Sequence, residues 1–304
     1  MPNKDEGINR GLWMAAGCYG AWVLFPIYFK LLGAVPPMEV LVNRVVWSLV
    51  FMVGVLMWRQ NWAWLGPALR TRRVVLTYLA AAVLLSVNWY IYIWAVANDH
   101  ILESSLGYFI NPLVNVLLGV LFFRERLRTG QWVAVAIATV GVLYLTLNLG
   151  QPPWIALSLA FSFGFYGLVK KTAPLSSDRG LTLETALMFL PALAYMGYLF
   201  TTGTSAVPEL ENGTRLLLML SGPITAIPLL LFAGAARRIP LTMLGIMQYI
   251  APTGQFLVAV FLFQEPFPTF KLIGFSIVWI ALIVFTVEGL TARRRALKLA
   301  ATTA

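Results

Sequence analysis

The sequence predicts an all-α integral membrane protein. Ten transmembrane helices form a 5+5 inverted repeat, with both termini cytoplasmic. Three observations carry this prediction. The 304 residues are 60% hydrophobic and only 11% charged, with mean hydropathy +0.79. The charges fall in short clusters between apolar runs of roughly 20 residues, the length of a helix that crosses a bilayer. A soluble domain carries about 25% charged residues. The third observation is a stretch that returns 140 residues later.

The spans follow in order. Residues 11–32 follow Arg10 and hold Lys30 near their far end. This run is too long for a signal-peptide core and has no small-residue cleavage site, so it reads as a retained helix. Residues 38–58 close at Trp58-Arg59, and 74–97 open after Arg70, Arg72 and Arg73. Residues 103–123 leave through Arg124-Glu125-Arg126, and 129–148 begin after Arg128. Residues 153–171 run from Trp154 to Lys170-Lys171, and 181–200 follow Arg179. Residues 215–236 end at Arg237-Arg238, 241–263 at Gln264-Glu265-Pro266, and 269–290 before Arg293. Trp13, Trp58, Trp62, Trp64, Trp132 and Trp154 near the span ends read as an interfacial belt.

Charge sets the orientation. Segments on the N-terminal side hold 18 of the 22 Lys and Arg, so that side is cytoplasmic. The net charge of +10 is explained by this asymmetry, and no nucleic-acid partner is expected. Residues 106–125 read LGYFINPLVNVLLGVLFFRE, and 246–265 read IMQYIAPTGQFLVAVFLFQE. Six of the 20 pairs are identical, including Pro112/Pro252 and Glu125/Glu265. Five spans separate the copies, so they run in opposite directions. The halves are residues 1–150 and 151–304, the second with a basic C-terminal tail. A proline at mid-span in each copy points to a transporter with its site between the halves.

Several motifs resemble the drug/metabolite transporter superfamily, in its EamA-type members. They are EVLVNRVVWS (39–48), NWYIYIWAVANDHILESSLGYFINPLVNVLLGVLFFRER (88–126), LAFSFGFYGLVKK (159–171) and MQYIAPTGQFLVAVFLFQEPF (247–267). The strongest likeness is to RarD-like bacterial proteins and covers nearly the whole chain. The resemblance implies ten helices around a central cavity lined mainly by spans 1, 3, 4, 6, 8 and 9. It also implies a bacterial inner membrane. The superfamily includes exporters of amino acids and of drugs, such as the YddG type. The second copy departs from the first, with Gln248 and Ala251 where the first has Tyr108 and Asn111. The cavity is therefore expected to be asymmetric.

The candidate substrate-binding residues are amides and aromatics. Asn88, Tyr92 and Trp94 lie in span 3, and Tyr108, Asn111 and Asn115 in span 4. Trp22, Ser162 and Tyr166 come from spans 1 and 6, and Gln248 and Tyr249 from span 9. Buried amides also serve as glue between helices, the plain alternative for each. Such a lining suits a small zwitterion or an organic cation. Arg44 lies inside a span, where a charge is a functional candidate; snorkelling outward or capping a neighbouring helix are its bland roles. Pro26 frees the carbonyl of Trp22, which then needs a donor.

One histidine and one cysteine leave no metal set, no disulfide and no catalytic pair, so neither a cofactor nor an enzyme is expected. No Walker A sequence is present, and Glu39, Glu184 and Glu288 all read as lying near span ends. A facilitator running down the substrate gradient is expected, with proton coupling through an end-placed Glu as the alternative. The sequence thus predicts a secondary carrier working by alternating access. The resemblance implies export, with amino acids, aromatic and neutral included, as the substrate class. The alternative is a multidrug exporter of hydrophobic cations or chloramphenicol-like compounds. The expected partners are a small-molecule substrate and membrane lipid, in a monomer or weak homodimer.

Overall fold

The computed structural model describes residues 4–33, 35–59, 62–97, 101–149, 154–262, 264 and 269–302. These form helices and their connections, with no strand among the described residues. The first run divides into α1 (Lys4–Val23) and α2 (Phe25–Leu31). Then come α3 (Pro37–Trp58), the short α4 (Leu65–Arg70), α5 (Arg72–Ala97), α6 (Ile101–Phe123) and α7 (Thr129–Leu149). The second half contains α8 (Trp154–Thr172), α9 (Ser177–Thr202) and α10 (Asn212–Ala236). It closes with α11 (Leu241–Gln248), α12 (Ile250–Leu257), a π-turn at Val258–Leu262, and α13 (Thr269–Thr302).

Eight described segments are long and apolar enough to cross a membrane, with α1 and α2 counted as one. The sixth expected span is α8, whose 19 residues reach about 28 Å but include Ser158, Ser162 and the Lys170-Lys171 pair. The ninth is interrupted at Tyr249 and so forms no single long helix.

Proline explains where the helices divide. Pro26 stands in the first turn of α2, where its missing N–H costs nothing. Pro252 plays the same part in α12. Pro112, Pro191, Pro223 and Pro228 instead lie inside continuous helices. Two of these six prolines thus stand at breaks, and four lie inside three continuous helices. Helix α9 stops at Gly203, whose φ of 68° is left-handed and whose following residue, Thr204, donates back to Leu199 O at 3.0 Å.

The bundle is apolar on its outer face as well as in its core, and polar groups are buried among the apolar ones. Leu147, Leu190 and Ile283 are large apolar side chains on its outer face, where lipid covers them. The core also holds polar groups: Glu39, Asn43, Arg44, Asn111, Asn115, Lys170, Glu184 and Gln248 are all buried. Tyr19, Phe109, Tyr166, Phe232 and Tyr249 fill the centre.

Helix contacts run between the halves. Helix α1 packs on α10, α11 and α12, while α8 packs on α5 and α6. Helices α3 and α9, α6 and α11, and α7 and α13 also meet. Backbones approach closely at two glycines. A Cβ on Gly222 would lie 2.3 Å from Trp47 O, and one on Gly245 would lie 2.7 Å from Pro112 O. Small residues of this kind let membrane helices come together. Arg124 and Gln264 have left-handed backbone, with φ of 52° and 51°. They are separated by the 140 residues of the sequence repeat.

Polar side chains tie the connections down. The Glu125 carboxylate accepts from the backbone N–H groups of Leu241 at 2.7 Å and Thr242 at 2.9 Å, capping the start of α11. The Glu39 carboxylate accepts from Ala206 N at 2.9 Å and Ser205 Oγ at 3.2 Å. Lys171 Nζ donates to the carbonyls of Ala236 and Ile239 at the end of α10. Glu265, Asp99 and His100 lie outside the described residues, as does the side chain of Glu103.

A candidate substrate cavity among amides and aromatic rings

A cavity of about 80 Å³ opens where the helix breaks meet the bundle centre. Of the predicted site residues, Trp22, Asn88, Tyr92, Tyr108, Asn111 and Gln248 line it. Phe25, Phe29, Arg44, Trp89, Phe163, Thr225 and Gln255 stand with them on the wall.

Hydrogen bonds between helices hold the amides in place. Asn88 Nδ2 donates to Leu159 O and to Ser162 Oγ, both at 3.0 Å. Asn111 Nδ2 donates to Ala160 O at 3.0 Å. Asn115 Nδ2 donates to Asn111 Oδ1 at 3.0 Å and to Gln248 Oε1 at 2.9 Å. One chain of amides thereby links α6, α8 and α11 across the centre. Asn115 itself sits behind the wall, with its Oδ1 buried and unbonded among the described residues. Gln255 Nε2 donates to Trp22 O at 2.9 Å. This is the carbonyl that Pro26 frees, so the break in the first run is sealed from the ninth.

Rings complete the wall. The Trp22 indole lies 5.4 Å from Phe163, 5.6 Å from Tyr19 and 6.2 Å from Phe232, centroid to centroid. Tyr92 and Tyr108 meet edge to face at 5.9 Å. The Arg44 guanidinium carbon lies 4.5 Å from the Trp89 ring centre and 5.3 Å from that of Phe29. A second cavity of about 250 Å³ shares Phe29, Arg44 and Tyr92 with the first and runs to Gly33, Val35 and Pro37.

The remaining predicted residues lie off the wall. Ser162 is one bond behind it, through Asn88. Tyr249 is fully buried and donates to Phe109 O at 3.2 Å. Trp94 stacks near Trp154, with ring centres 5.6 Å apart, away from the cavity. Tyr166 is fully buried and donates to Glu184 Oε2 at 3.2 Å.

Glu184 adds to the sequence reading. It stands two turns into α9, near the span end as expected, yet it is 0% exposed and pairs with Lys170 Nζ at 2.6 Å, itself 2% exposed, a partnership the sequence did not reveal. Lys170 also lies over the rings of Tyr78 and Tyr166, at 5.7 and 5.6 Å. An ion pair buried this fully holds only because each charge has its partner and the spare carboxylate oxygen has a hydroxyl. Arg44 and Gln255 were legible as polar groups inside spans. Trp89 was legible as a tryptophan inside a span, whose indole N–H needs a partner or a wet cavity, whereas Phe25 and Phe29 gave no signal beyond being aromatic.

The architecture and this polar interior define a membrane transporter, and comparison with known proteins agrees. Residues 9–147 match the EamA-like transporter family. The chain is 47% identical to Protein RarD of Streptomyces exfoliatus, over 96% of this chain and 93% of that protein. It is 46% identical to the uncharacterized transporter YojE of Bacillus subtilis, over 91% and 94%. Chloramphenicol-sensitive protein RarD of Pseudomonas aeruginosa is 29% identical over 91% of this chain and 93% of its own length. A solved crystal structure shares the fold, with TM-score 0.70 and 18% identity over 91% of this chain and 98% of the other. The chain belongs to the EamA-like transporters of the drug/metabolite transporter superfamily, among its RarD-like members.

Proposed function

We propose that this transporter is a secondary carrier of the bacterial inner membrane that moves amino acids outward, aromatic and neutral ones included. The observation that carries this reading is the cavity wall. Asn88, Asn111, Gln248 and Gln255 stand there with Trp22, Tyr92 and Tyr108. Amides serve the ammonium and carboxylate of a zwitterion, and rings serve an apolar or aromatic side chain.

The carrier has ten spans as a 5+5 inverted repeat, with α8 as the sixth and α11–α12 with the π-turn as the ninth. Both termini are cytoplasmic, and the cavity lies within one chain, so a monomer suffices. Three features support the repeat. The helix contacts are reciprocal: α1 meets α10 and α11–α12 as α8 meets α5 and α6. Arg124 and Gln264 share a left-handed backbone. Tyr249 and Phe109, equivalent in the two copies, touch each other. Substrate crosses as the halves rock about the cavity, exposing it to each side in turn. Transport follows the substrate gradient.

Uptake of radiolabelled amino acids into proteoliposomes, with and without a pH gradient, tests this. Saturable flux without a gradient is the expected result. Flux with the gradient alone would make the carrier proton-coupled, and no flux with any amino acid would overturn the substrate class. A second reading, a multidrug exporter, draws on the relative named chloramphenicol-sensitive. Arg44 on the cavity wall weighs against hydrophobic cations as its cargo.

A further inference from the structure

We infer that the cavity is built for a solute bearing a carboxylate and that Arg44 is the residue that binds it. This rests on the carrier reading and narrows its substrate class. Arg44 lies within α3 and is 6% exposed. It does not reach out to water. Its Nε donates to the Thr225 hydroxyl at 3.0 Å, so it does not cap a neighbouring helix through a carbonyl either. Both bland roles are closed.

A guanidinium presents five N–H donors in a planar fork. Thr225 takes one of them. Among the described residues, no carboxylate lies within ion-pair distance of Arg44, and no acceptor is bonded to its Nη groups. The side chain lines both cavities, where those donors meet whatever enters. Trp89, Phe29 and Phe25 surround the guanidinium at 4.5, 5.3 and 5.8 Å. Rings steady a cation without cancelling its charge. A positive charge withheld from water stays costly until an anion joins it, and the fork matches the two oxygens of a carboxylate.

The same arrangement excludes the opposite ligand. Aromatic faces that could have held an organic cation already face Arg44, and a second cation there meets like charge. A phosphate, with nearly two charges, would want more than one basic group, and Arg44 is the basic residue on this wall. Position adds to the argument. Arg44, Phe29 and Tyr92 are common to the two cavities, so Arg44 stands where the two adjoin.

The test uses the purified full chain in nanodiscs, with tryptophan fluorescence as the signal, because Trp22 and Trp89 line the cavity. The probes are phenylalanine, 3-phenylpropionate, phenylalanine methyl ester and phenethylamine. The expected result is saturable binding of the first two and not of the last two. Arg44→Gln should weaken both carboxylate probes by about 10- to 100-fold, the loss of a charged hydrogen-bonded pair. Arg44→Lys should weaken them less. Thr225→Val keeps the charge and removes the Nε acceptor, so it tests the same site should Arg44→Gln fail to fold; it should weaken the carboxylate probes alone.

Binding of ester or amine as tight as that of phenylalanine overturns the inference. So does failure of both carboxylate probes, or unchanged affinity in Arg44→Gln and Thr225→Val. Flux in proteoliposomes separates this idea from the carrier reading. Saturable transport of phenethylamine independent of Arg44 leaves a carrier and removes the anion site. Arg44-dependent carboxylate binding without flux of any probe leaves the anion site and removes the carrier.

Discussion

The hydroxyl of Tyr249 donates to the backbone carbonyl of Phe109 at 3.2 Å, across 140 positions of sequence. The two rings lie 6.3 Å apart. Because that separation is also the offset of the repeat, the two residues are equivalents that touch. Tyr249→Phe removes this bond and keeps the ring, while the Phe109 carbonyl stays in the ladder of α6. It should lower stability by about 0.5–1.5 kcal/mol, read as a lower melting temperature in detergent.

Four cavity substitutions test the site as a group. Trp22→Ala, Asn88→Ala, Tyr92→Ala and Gln248→Ala should each reduce transport about 5-fold or more, the scale of one lost hydrogen bond or ring contact. Folded protein should remain in the membrane by size-exclusion chromatography. Normal transport by all four would remove the cavity from the mechanism.

The Lys170–Glu184 pair should behave as a unit. Glu184→Gln or Lys170→Met leaves one buried charge alone and should cost about 3–5 kcal/mol. The double variant Lys170→Met/Glu184→Leu should be milder than either single change. A thermal double-mutant cycle reads the coupling, and simple additivity would show that the two side chains act independently.

Gln255 offers a test of the break after Trp22. Gln255→Leu leaves the Trp22 carbonyl without its donor and should cost about 1–3 kcal/mol. Gln255→Glu, acceptor-only when ionised, should not restore it. Equal melting temperatures for wild type and both variants would mean that the carbonyl is satisfied elsewhere.

Gly222 bears on helix packing. A Cβ there would lie 2.3 Å from Trp47 O, which is backbone and cannot swing aside. Gly222→Ala must therefore separate α3 from α10, at about 1–3 kcal/mol. A melting temperature equal to wild type would show that the helices are free to part.

Much of this architecture was legible because a bilayer constrains sequence strongly. Apolar runs marked most of the helices, and Pro26 announced an unpaired carbonyl at Trp22. Glu125 was visible as a charge at a span end, and it caps the start of α11. What stayed hidden depends on distant contacts. Glu184 looked peripheral by position because the chain gives no sign that Lys170 turns inward to meet it. Arg44 was visible as a charge in a span, but Thr225, 181 residues away, and the ring of Trp89 define its chemistry. Pro112 and Pro252 are equivalents with different outcomes. Helix α6 runs unbroken through Pro112, whereas the second copy is interrupted at Tyr249, three residues before Pro252, and resumes as α12 around that proline.

That difference between the prolines reaches into kinetics. With α6 unbroken across Pro112 and the ninth run divided at Tyr249, exchanging the roles of the halves does not regenerate the same molecule. For a carrier that alternates between its halves, the two facing states then differ in free energy. Half-saturation on one side of the membrane differs from that on the other, and so do the two maximal fluxes. At equilibrium their ratios must compensate, so a carrier without an energy source can be lopsided in rate yet neutral in direction.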